Sequence, residues 1–193
     1  MTDYSQSGEQ AIILKALEGV QHGKFLDIGA WHPKTFSNVR ALYELGWHGV
    51  MVEPSPGPMR DLLKEYGREP RITLIQAACG MNQNLQRLIV TDDALSTTDA
   101  GLAKAWGERG GYFGNVLVPT IPLEAILTAL GPFDFVNIDT EGSSRALLEE
   151  LLRLQEPRCI CVEHDGQEQQ LRRLAKTHGY QNYGVAVNLI LWR

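Results

Sequence analysis

The sequence has 193 residues, 44% hydrophobic and 21% charged, a balance that fits one domain over residues 1–193 with a substantial core. Its 18 lysines and arginines are scattered among 23 acids and leave a net charge of −5, so we expect no nucleic-acid partner. No apolar run reaches the ~20 residues of a membrane helix, and the chain opens without a basic and apolar leader. We therefore expect a cytoplasmic protein without a membrane partner.

Strand-like apolar runs alternate with helical patterns along most of the chain. We predict strands at 25–30, 49–53, 72–77, 133–139 and 159–163, and helices at 38–45, 59–66, 143–154 and from Pro122 to residue 130. Such alternation predicts a doubly wound parallel α/β sheet.

The end of the chain departs from this pattern. After a predicted helix at 167–177, two predicted strands at 180–183 and 187–192 are joined by a short link that contains Gly184. This link is too short for a parallel crossover, so we predict an antiparallel terminal pair. The sequence therefore predicts a mostly parallel seven-stranded sheet with an antiparallel final strand.

The stretch 81–119 is the longest break in the alternation. It contains a predicted strand at 85–91, a predicted helix near 99–106 and a glycine-rich segment at 110–114. Long loops in compact domains are often functional lids. We interpret 81–119 as an insertion that covers the site.

Two acids stand at the ends of the first two predicted strands. Asp27 is followed by Gly29, and Glu53 closes the next apolar run. In an open α/β sheet, a glycine at this turn lets the backbone approach a ligand, and an acid after the second strand accepts hydrogen bonds from ribose hydroxyls. The pattern predicts a nucleoside-containing cofactor. The loop lacks the full G-x-G-x-x-G of nicotinamide dehydrogenases, which disfavours that class.

Six short motifs mark the chain: Ser5-Gln6-Ser7-Gly8-Glu9, Phe25-Leu26-Asp27-Ile28-Gly29-Ala30, Phe36-Ser37-Asn38, Gly46-Trp47-His48-Gly49-Val50, Val52-Glu53-Pro54-Ser55-Pro56 and Phe135-Val136-Asn137-Ile138-Asp139-Thr140-Glu141-Gly142. Together they resemble the FkbM family of methyltransferases. The resemblance implies the class I methyltransferase fold, a Rossmann-like three-layer sandwich. It also implies methyl transfer from S-adenosylmethionine to an oxygen of a small-molecule or carbohydrate acceptor.

The expected cofactor contacts lie at the strand ends and in the amino-terminal segment. The turn at Asp27 is expected under the methionine part, Glu53 on the ribose, and the small residues after the third strand near the adenine. The resemblance suggests that the amino-terminal segment folds over the cofactor, although Ser7 and Gln10 also resemble a helix capping box. The full predicted set is Asp27, Gly29, Ala30, Glu53, Pro54, Ala77, Ala78, Asp139 and Gln6.

The candidate catalytic residues follow the fourth and fifth predicted strands. Asp139 and Glu141 are expected to face the methyl donor or the acceptor, unless they only cap the next helix. His164 is a candidate general base, because the pKa of histidine lies near working pH. Alternatively, Asp139, Glu163 and Asp165 would bind a divalent metal that orients and acidifies a hydroxyl.

Two other classes of function stay open at this point. A non-catalytic binding module would keep the Rossmann-like fold as a scaffold, although it would have no need of the intact acids. A nicotinamide-dependent oxidoreductase would require the glycines that are missing. The three cysteines suggest no redox role: Cys159 and Cys161 lie two apart in one strand, too far for a disulfide, so we expect buried free thiols.

Overall fold

A computed structural model describes residues 2–91, 96–98, 101, 104 and 112–193, and the side chains of these except at 112 and 113. The described helices are α1 (Glu9–Ala16), α2 (Arg40–Glu44), α3 (Pro56–Tyr66), α4 (Leu123–Leu130), α5 (Ser144–Leu154) and α6 (Glu168–Thr177). The described strands are β1 (Lys24–Ile28), β2 (His48–Val52), β3 (Ile72–Ile75), β4 (Ala78–Gly80), β5 (Asn84–Thr91), β6 (Tyr112–Pro122), β7 (Phe135–Ile138), β8 (Cys159–Glu163), β9 (Asn182–Val185) and β10 (Asn188–Trp192).

Seven of these strands form one sheet in the order β3-β2-β1-β7-β8-β10-β9. The five strands from β3 to β8 are parallel, whereas β10 runs antiparallel to both β8 and β9. The predicted parallel sheet with an antiparallel final strand is therefore confirmed. One detail of the prediction is wrong: Gly184 lies inside β9, opposite Ile190, and the turn follows it.

Both faces of the large sheet are covered by helices. Alternate residues of each strand point to opposite faces, so both sets of side chains are buried against helices. On one face Leu26 and Val136 pack with residues of α4, α5 and α6. On the other face Phe25 and Phe135 pack with residues of α1, α2 and α3. The strands are thus buried on both sides, which explains their almost continuous apolar sequences.

A second sheet has three strands in the order β4-β6-β5 and a small core around Leu88 and Val118. The single strand predicted at 72–77 ends at Ile75, and Ala78–Gly80 pairs with β6 instead. The strand predicted at 85–91 is present as β5. The helix predicted near 99–106 and part of the glycine-rich segment lie outside the described residues.

Two expectations from composition can be compared with the structure. In the described residues, no helix is both long and apolar enough to span a bilayer. Cys79, Cys159 and Cys161 are free thiols, and the latter two lie buried on the same face of β8. Burial raises the pKa of the Cys79 thiol to about 12, so this group stays protonated at neutral pH.

Candidate functional site

The main cavity lies at the carboxyl ends of β1, β2 and β7, where the strand order reverses on the two sides of β1. Its volume is about 360 Å³. In open α/β sheets this reversal separates the two neighbouring loops and opens a crevice for a ligand. All nine predicted cofactor residues line this cavity: Asp27, Gly29, Ala30, Glu53, Pro54, Ala77, Ala78, Asp139 and Gln6.

The turn after β1 requires a glycine for two reasons. Gly29 has φ of +85°, which glycine adopts without strain. A Cβ at this position would also lie only 1.7 Å from the backbone oxygen of Asp139. The N–H of Gly29 donates to the Val52 carbonyl oxygen at 2.9 Å, which ties the turn to β2. The turn at Gly29 and the backbone of Asp139 are therefore in close contact, and together they form the floor of the cavity.

Glu53 is almost fully buried at the end of β2 and organises the loops around it. Its Oε2 accepts the N–H of Trp31 at 2.9 Å, and its Oε1 accepts the N–H of Ser55 at 2.6 Å. Burial raises the pKa of this carboxyl above its ordinary value, although the two N–H donors oppose the shift. A carboxylate has about four acceptor positions, so each oxygen keeps capacity for a ligand hydroxyl.

Asp27 is the end of a buried chain of polar side chains. Asn38 Nδ2 donates to Asn137 Oδ1 at 3.1 Å, and Asn137 Nδ2 donates to Asp27 Oδ1 at 2.8 Å. Burial raises the pKa of Asp27 to about 7 against the opposing hydrogen bond from Asn137. Asn38 Oδ1 is buried and has no hydrogen-bond partner among the described residues. A ligand that donates hydrogen bonds would satisfy this oxygen.

Three carboxylates meet at the β7 and β8 side of the cavity. Asp139, Glu141 and Glu163 each offer an oxygen, and these oxygens lie within 4.8 Å of one another. Glu163 Oε2 accepts the Glu141 N–H at 3.1 Å and the Ser144 hydroxyl at 3.0 Å. Burial, followed by repulsion from neighbouring carboxylates, raises the pKa values of Asp139 and Glu163 to about 7. The group is therefore able to exchange a proton near neutral pH.

The other two candidates after β8 are not members of this trio, although Asp165 is close enough to Glu163 to share a side-chain hydrogen bond and to help raise its pKa. His164 is half-buried and does not line the cavity, and its Nδ1 accepts the Gly166 N–H at 3.1 Å. Its role as general base stays a prediction that the geometry does not favour. Asp165 is exposed, and Glu141 takes the place that the metal hypothesis gave to Asp165.

The amino-terminal segment closes one wall of the cavity. Exposed Gln6 lines it together with Val187 and Asn188 from the β9–β10 turn. The predicted capping box of Ser7 and Gln10 is wrong, because Ser5 Oγ accepts the Gln10 N–H instead, at 3.2 Å. The helix begins after Gly8, whose positive φ turns the chain sharply before α1.

Sequence reasoning missed several residues of the cavity wall. Asn38 and Asn137 lie within two of the family motifs, but nothing in the sequence indicates that they hydrogen bond to each other across 99 positions. The position of Trp31 after the first strand makes it a candidate to border the acceptor, and Trp31 does line the cavity. Phe36, which is not a candidate from the sequence, lines the cavity too, and its ring stacks on that of Trp31 with centroids 5.9 Å apart. Trp31 and Phe36 both have positive φ in the loop after β1. The sequence does not predict this backbone conformation, because neither residue is a glycine.

Structural comparison identifies the fold as that of class I methyltransferases. The C-terminal domain of precorrin-6Y C5,15-methyltransferase from Rhodobacter capsulatus superposes with a TM-score of 0.51 at 16% identity, covering 95% of this chain and 85% of that one. Precorrin-6y C5,15-methyltransferase from Geobacter metallireducens GS-15 gives 0.53 at 13% identity, with 95% and 86% covered. The METTL16 methyltransferase domain gives 0.54 at 10% identity, with 94% and 64% covered.

Sequence comparison defines the family more closely. The model of the methyltransferase FkbM domain matches residues 27–182, so the chain belongs to the FkbM family of methyltransferases. This confirms the resemblance carried by the motifs. No curated protein sequence matches the chain. Family and fold together imply S-adenosylmethionine as the methyl donor.

Proposed function

We propose that this protein transfers the methyl group of S-adenosylmethionine to a hydroxyl oxygen of a small-molecule or carbohydrate acceptor. The observation that carries the proposal is the carboxylate trio of Asp139, Glu141 and Glu163 at the edge of the main cavity. A hydroxyl is a weak nucleophile until its proton is removed, so oxygen methylation needs a proton acceptor beside the reacting atoms. The trio supplies one.

The chemistry of the main cavity fits the methyl donor. S-adenosylmethionine brings a sulfonium whose methyl carbon is open to attack, together with an amino group and ribose hydroxyls that donate hydrogen bonds. Asp27, Glu53 and Asp139 are acceptors for such donors, and the unsatisfied Oδ1 of Asn38 is another. Gly29 leaves room where a side chain would strike Asp139. Pro54, Ala77 and Ala78 add small apolar surface for the nucleoside.

The proposed step is an in-line displacement. The acceptor oxygen forms a bond to the methyl carbon, and the carbon–sulfur bond breaks with its electron pair left on sulfur, giving S-adenosylhomocysteine. The hydroxyl proton passes to a carboxylate of the trio, which is suited to accept it because the pKa values of Asp139 and Glu163 are raised to about 7. His164 is the alternative base, but it does not line the cavity, so its side chain would have to move to contact the acceptor.

A divalent metal is a second way to activate the hydroxyl. Oxygen ligands suit Mg²⁺, and the three carboxylates are close enough to share an ion. Such an ion would orient the acceptor and make its hydroxyl more acidic. Metal dependence and carboxylate base catalysis therefore predict opposite responses to chelator.

The test has two stages. Titration calorimetry with S-adenosylhomocysteine and, separately, NAD measures the cofactor class. Then S-adenosylmethionine with a ¹³C-labelled methyl group is incubated with a panel of glycosides and small alcohols, with and without EDTA, and products are read by carbon NMR. We expect binding of S-adenosylhomocysteine, no binding of NAD, and a labelled methoxy carbon that persists with EDTA.

Other outcomes would replace this proposal. Binding of NAD instead would indicate an oxidoreductase, and binding of neither would indicate a scaffold module. A label on nitrogen or carbon would reject oxygen methylation. Loss of product with EDTA and its return with Mg²⁺ would establish the metal alternative.

A further inference from the structure

A second cavity, a shallow depression of about 330 Å³ that is more open to solvent than the first, adjoins the main one. It is lined by Gln86, Arg87, Thr98, Glu141, Gly142 and Ser143. Thr98, Glu141 and Ser143 also line the main cavity. The two cavities therefore meet at these shared residues, and Glu141 of the carboxylate trio stands at their junction.

The second cavity differs from the first in chemistry. The main cavity includes apolar side chains such as Ile28, Val52 and Leu88, whereas every described side chain lining the second is polar or charged, apart from Gly142. Arg87 is the only basic residue among the described lining of either cavity. It forms no ion pair within the described part of the chain. A polar, hydrogen-bonding ligand suits this surface.

The position of Arg87 relative to the carboxylate trio is held by hydrogen bonds. Two residues along β5, Ile89 exchanges backbone hydrogen bonds with Thr97 at 2.9 and 3.1 Å. Thr97 Oγ1 in turn donates to the backbone oxygen of Glu141 at 2.8 Å. The strand that carries Arg87 is thus tied to the loop that carries Glu141, so a cationic group and a proton acceptor face one cavity from opposite elements.

We propose that the second cavity is the acceptor subsite and that it takes a hydroxylated acceptor carrying a carboxylate or phosphate group. The anionic group pairs with the Arg87 guanidinium, whose planar fork matches the oxygens of either anion. The acceptor hydroxyl then lies at the junction beside Glu141, where its proton can pass to the trio as its oxygen bonds to the methyl carbon. This inference rests on the proposed methyl transfer and adds the acceptor class.

The test uses protein saturated with S-adenosylhomocysteine and pairs of probes that differ in one anionic group. Glucuronate and glucose 6-phosphate are each compared with glucose, and glycerate with glycerol, by amide chemical-shift titration. The variants are Arg87→Gln and, as matched control, Arg173→Gln, an exposed arginine on α6 that lines neither cavity. Comparison of the carboxylate and phosphate arms distinguishes the two anions.

We expect at least one anionic probe to bind about tenfold more tightly than its neutral partner, which is the effect of one charged hydrogen bond. Its shifts should map to Gln86, Thr98 and Gly142. Arg87→Gln should remove the preference and leave affinity for S-adenosylhomocysteine unchanged, while Arg173→Gln should keep both.

Three results would overturn the inference. These are equal binding of neutral and anionic probes, a preference that survives Arg87→Gln, or no binding that maps to the second cavity. Each of them leaves the proposed methyl transfer standing, because affinity for S-adenosylhomocysteine is measured separately. Failure of S-adenosylhomocysteine itself to bind would instead remove both proposals.

Discussion

Asn137 Nδ2 donates a hydrogen bond to Asp27 Oδ1 at 2.8 Å between two adjacent parallel strands. The two residues are register partners in β1 and β7, so the sheet itself brings them together. The carboxylate is buried, and this amide is the main group that opposes the rise of its pKa. The pair therefore keeps an acidic group available at the floor of the main cavity.

Replacing Asn137 by alanine should weaken binding of S-adenosylhomocysteine about tenfold or more. The hydrogen bond from Asn137 stabilises the ionised form of Asp27 by about 1.5–3 kcal/mol, so its loss raises the pKa of this carboxyl further and leaves less carboxylate to accept from the ligand at neutral pH. The variant also leaves the Asn38 amide without its acceptor. Titration calorimetry measures the affinity, with Asn182→Ala at the exposed start of β9 as control. Equal affinity of Asn137→Ala and wild type would show that the polar chain is not part of the cofactor site.

Glu53→Ala should also weaken binding of S-adenosylhomocysteine, by tenfold or more, because it removes the acceptor expected for the ribose hydroxyls. The substitution leaves the Trp31 and Ser55 N–H groups without their partner, so some loss of stability is expected as well. Glu53→Gln keeps part of the acceptor capacity and separates these effects. Thermal unfolding and calorimetry on both variants, with Glu124→Gln on α4 as control, measure them. Unchanged affinity in both variants would exclude a ribose contact.

The predictable part of this molecule is the part set by local pattern. Apolar runs in the sequence predict the strands β1, β2, β7 and β8 in their succession along the chain. Single acidic residues at the ends of these runs predict the acids of the site. The assignment of Ala78–Gly80 to a second sheet does not, because it depends on pairing with β6 some forty residues later. The Asn38–Asn137 contact is equally non-local. His164 is a candidate because of its residue type and its place after a strand, but neither of these predicts the loop geometry in which its Nδ1 accepts the Gly166 N–H.

Affinity for S-adenosylmethionine should rise with pH between about 6 and 8. In the free protein, burial raises the pKa values of Asp27, Asp139 and Glu163 to about 7, so these groups bind protons below that pH. A cationic ligand binds the ionised carboxylates more tightly, so its binding displaces the protons that these groups hold. Each carboxyl that loses a proton on binding changes the affinity by at most about tenfold per pH unit. Calorimetry in two buffers of different ionisation enthalpy measures both affinity and proton release.

The same shifts predict that the free protein loses stability as pH rises from about 4 to 7. Over that range the unfolded chain has already released protons that the folded carboxyls retain, so the free energy of unfolding falls. Asp139→Asn should flatten both pH dependences. A pH-independent affinity in wild type would mean that the carboxyls are ionised before the ligand binds.

Glu9→Gln should destabilise the protein and weaken cofactor binding together. Glu9 is fully buried, and its Oε1 accepts the Val187 and Asn188 N–H groups at 3.1 and 3.3 Å while Oε2 accepts the Ser7 N–H at 2.7 Å. A glutamine side chain would place its NH₂ group against one of these backbone N–H groups, and the lost hydrogen bond would cost about 1–3 kcal/mol. Thermal unfolding and calorimetry test this, with exposed Glu18→Gln as control. A stability loss without any change in affinity would separate Glu9 from the cavity wall.

Amide hydrogen exchange should distinguish the second sheet from the first. The sequence predicts a lid at 81–119, and the described strands of this segment, β5 and β6, lie outside the large sheet, with a small core around Leu88 and Val118. Few buried contacts mean a low free energy of local opening, so β5 amides should exchange faster than those of β7, which is buried on both faces. Leu88 and Thr98 line the main cavity, so S-adenosylhomocysteine together with an acceptor should slow exchange in β5 specifically. Strong and equal protection of β5 and β7 without ligand would identify the second sheet as rigid core and remove the basis for a lid.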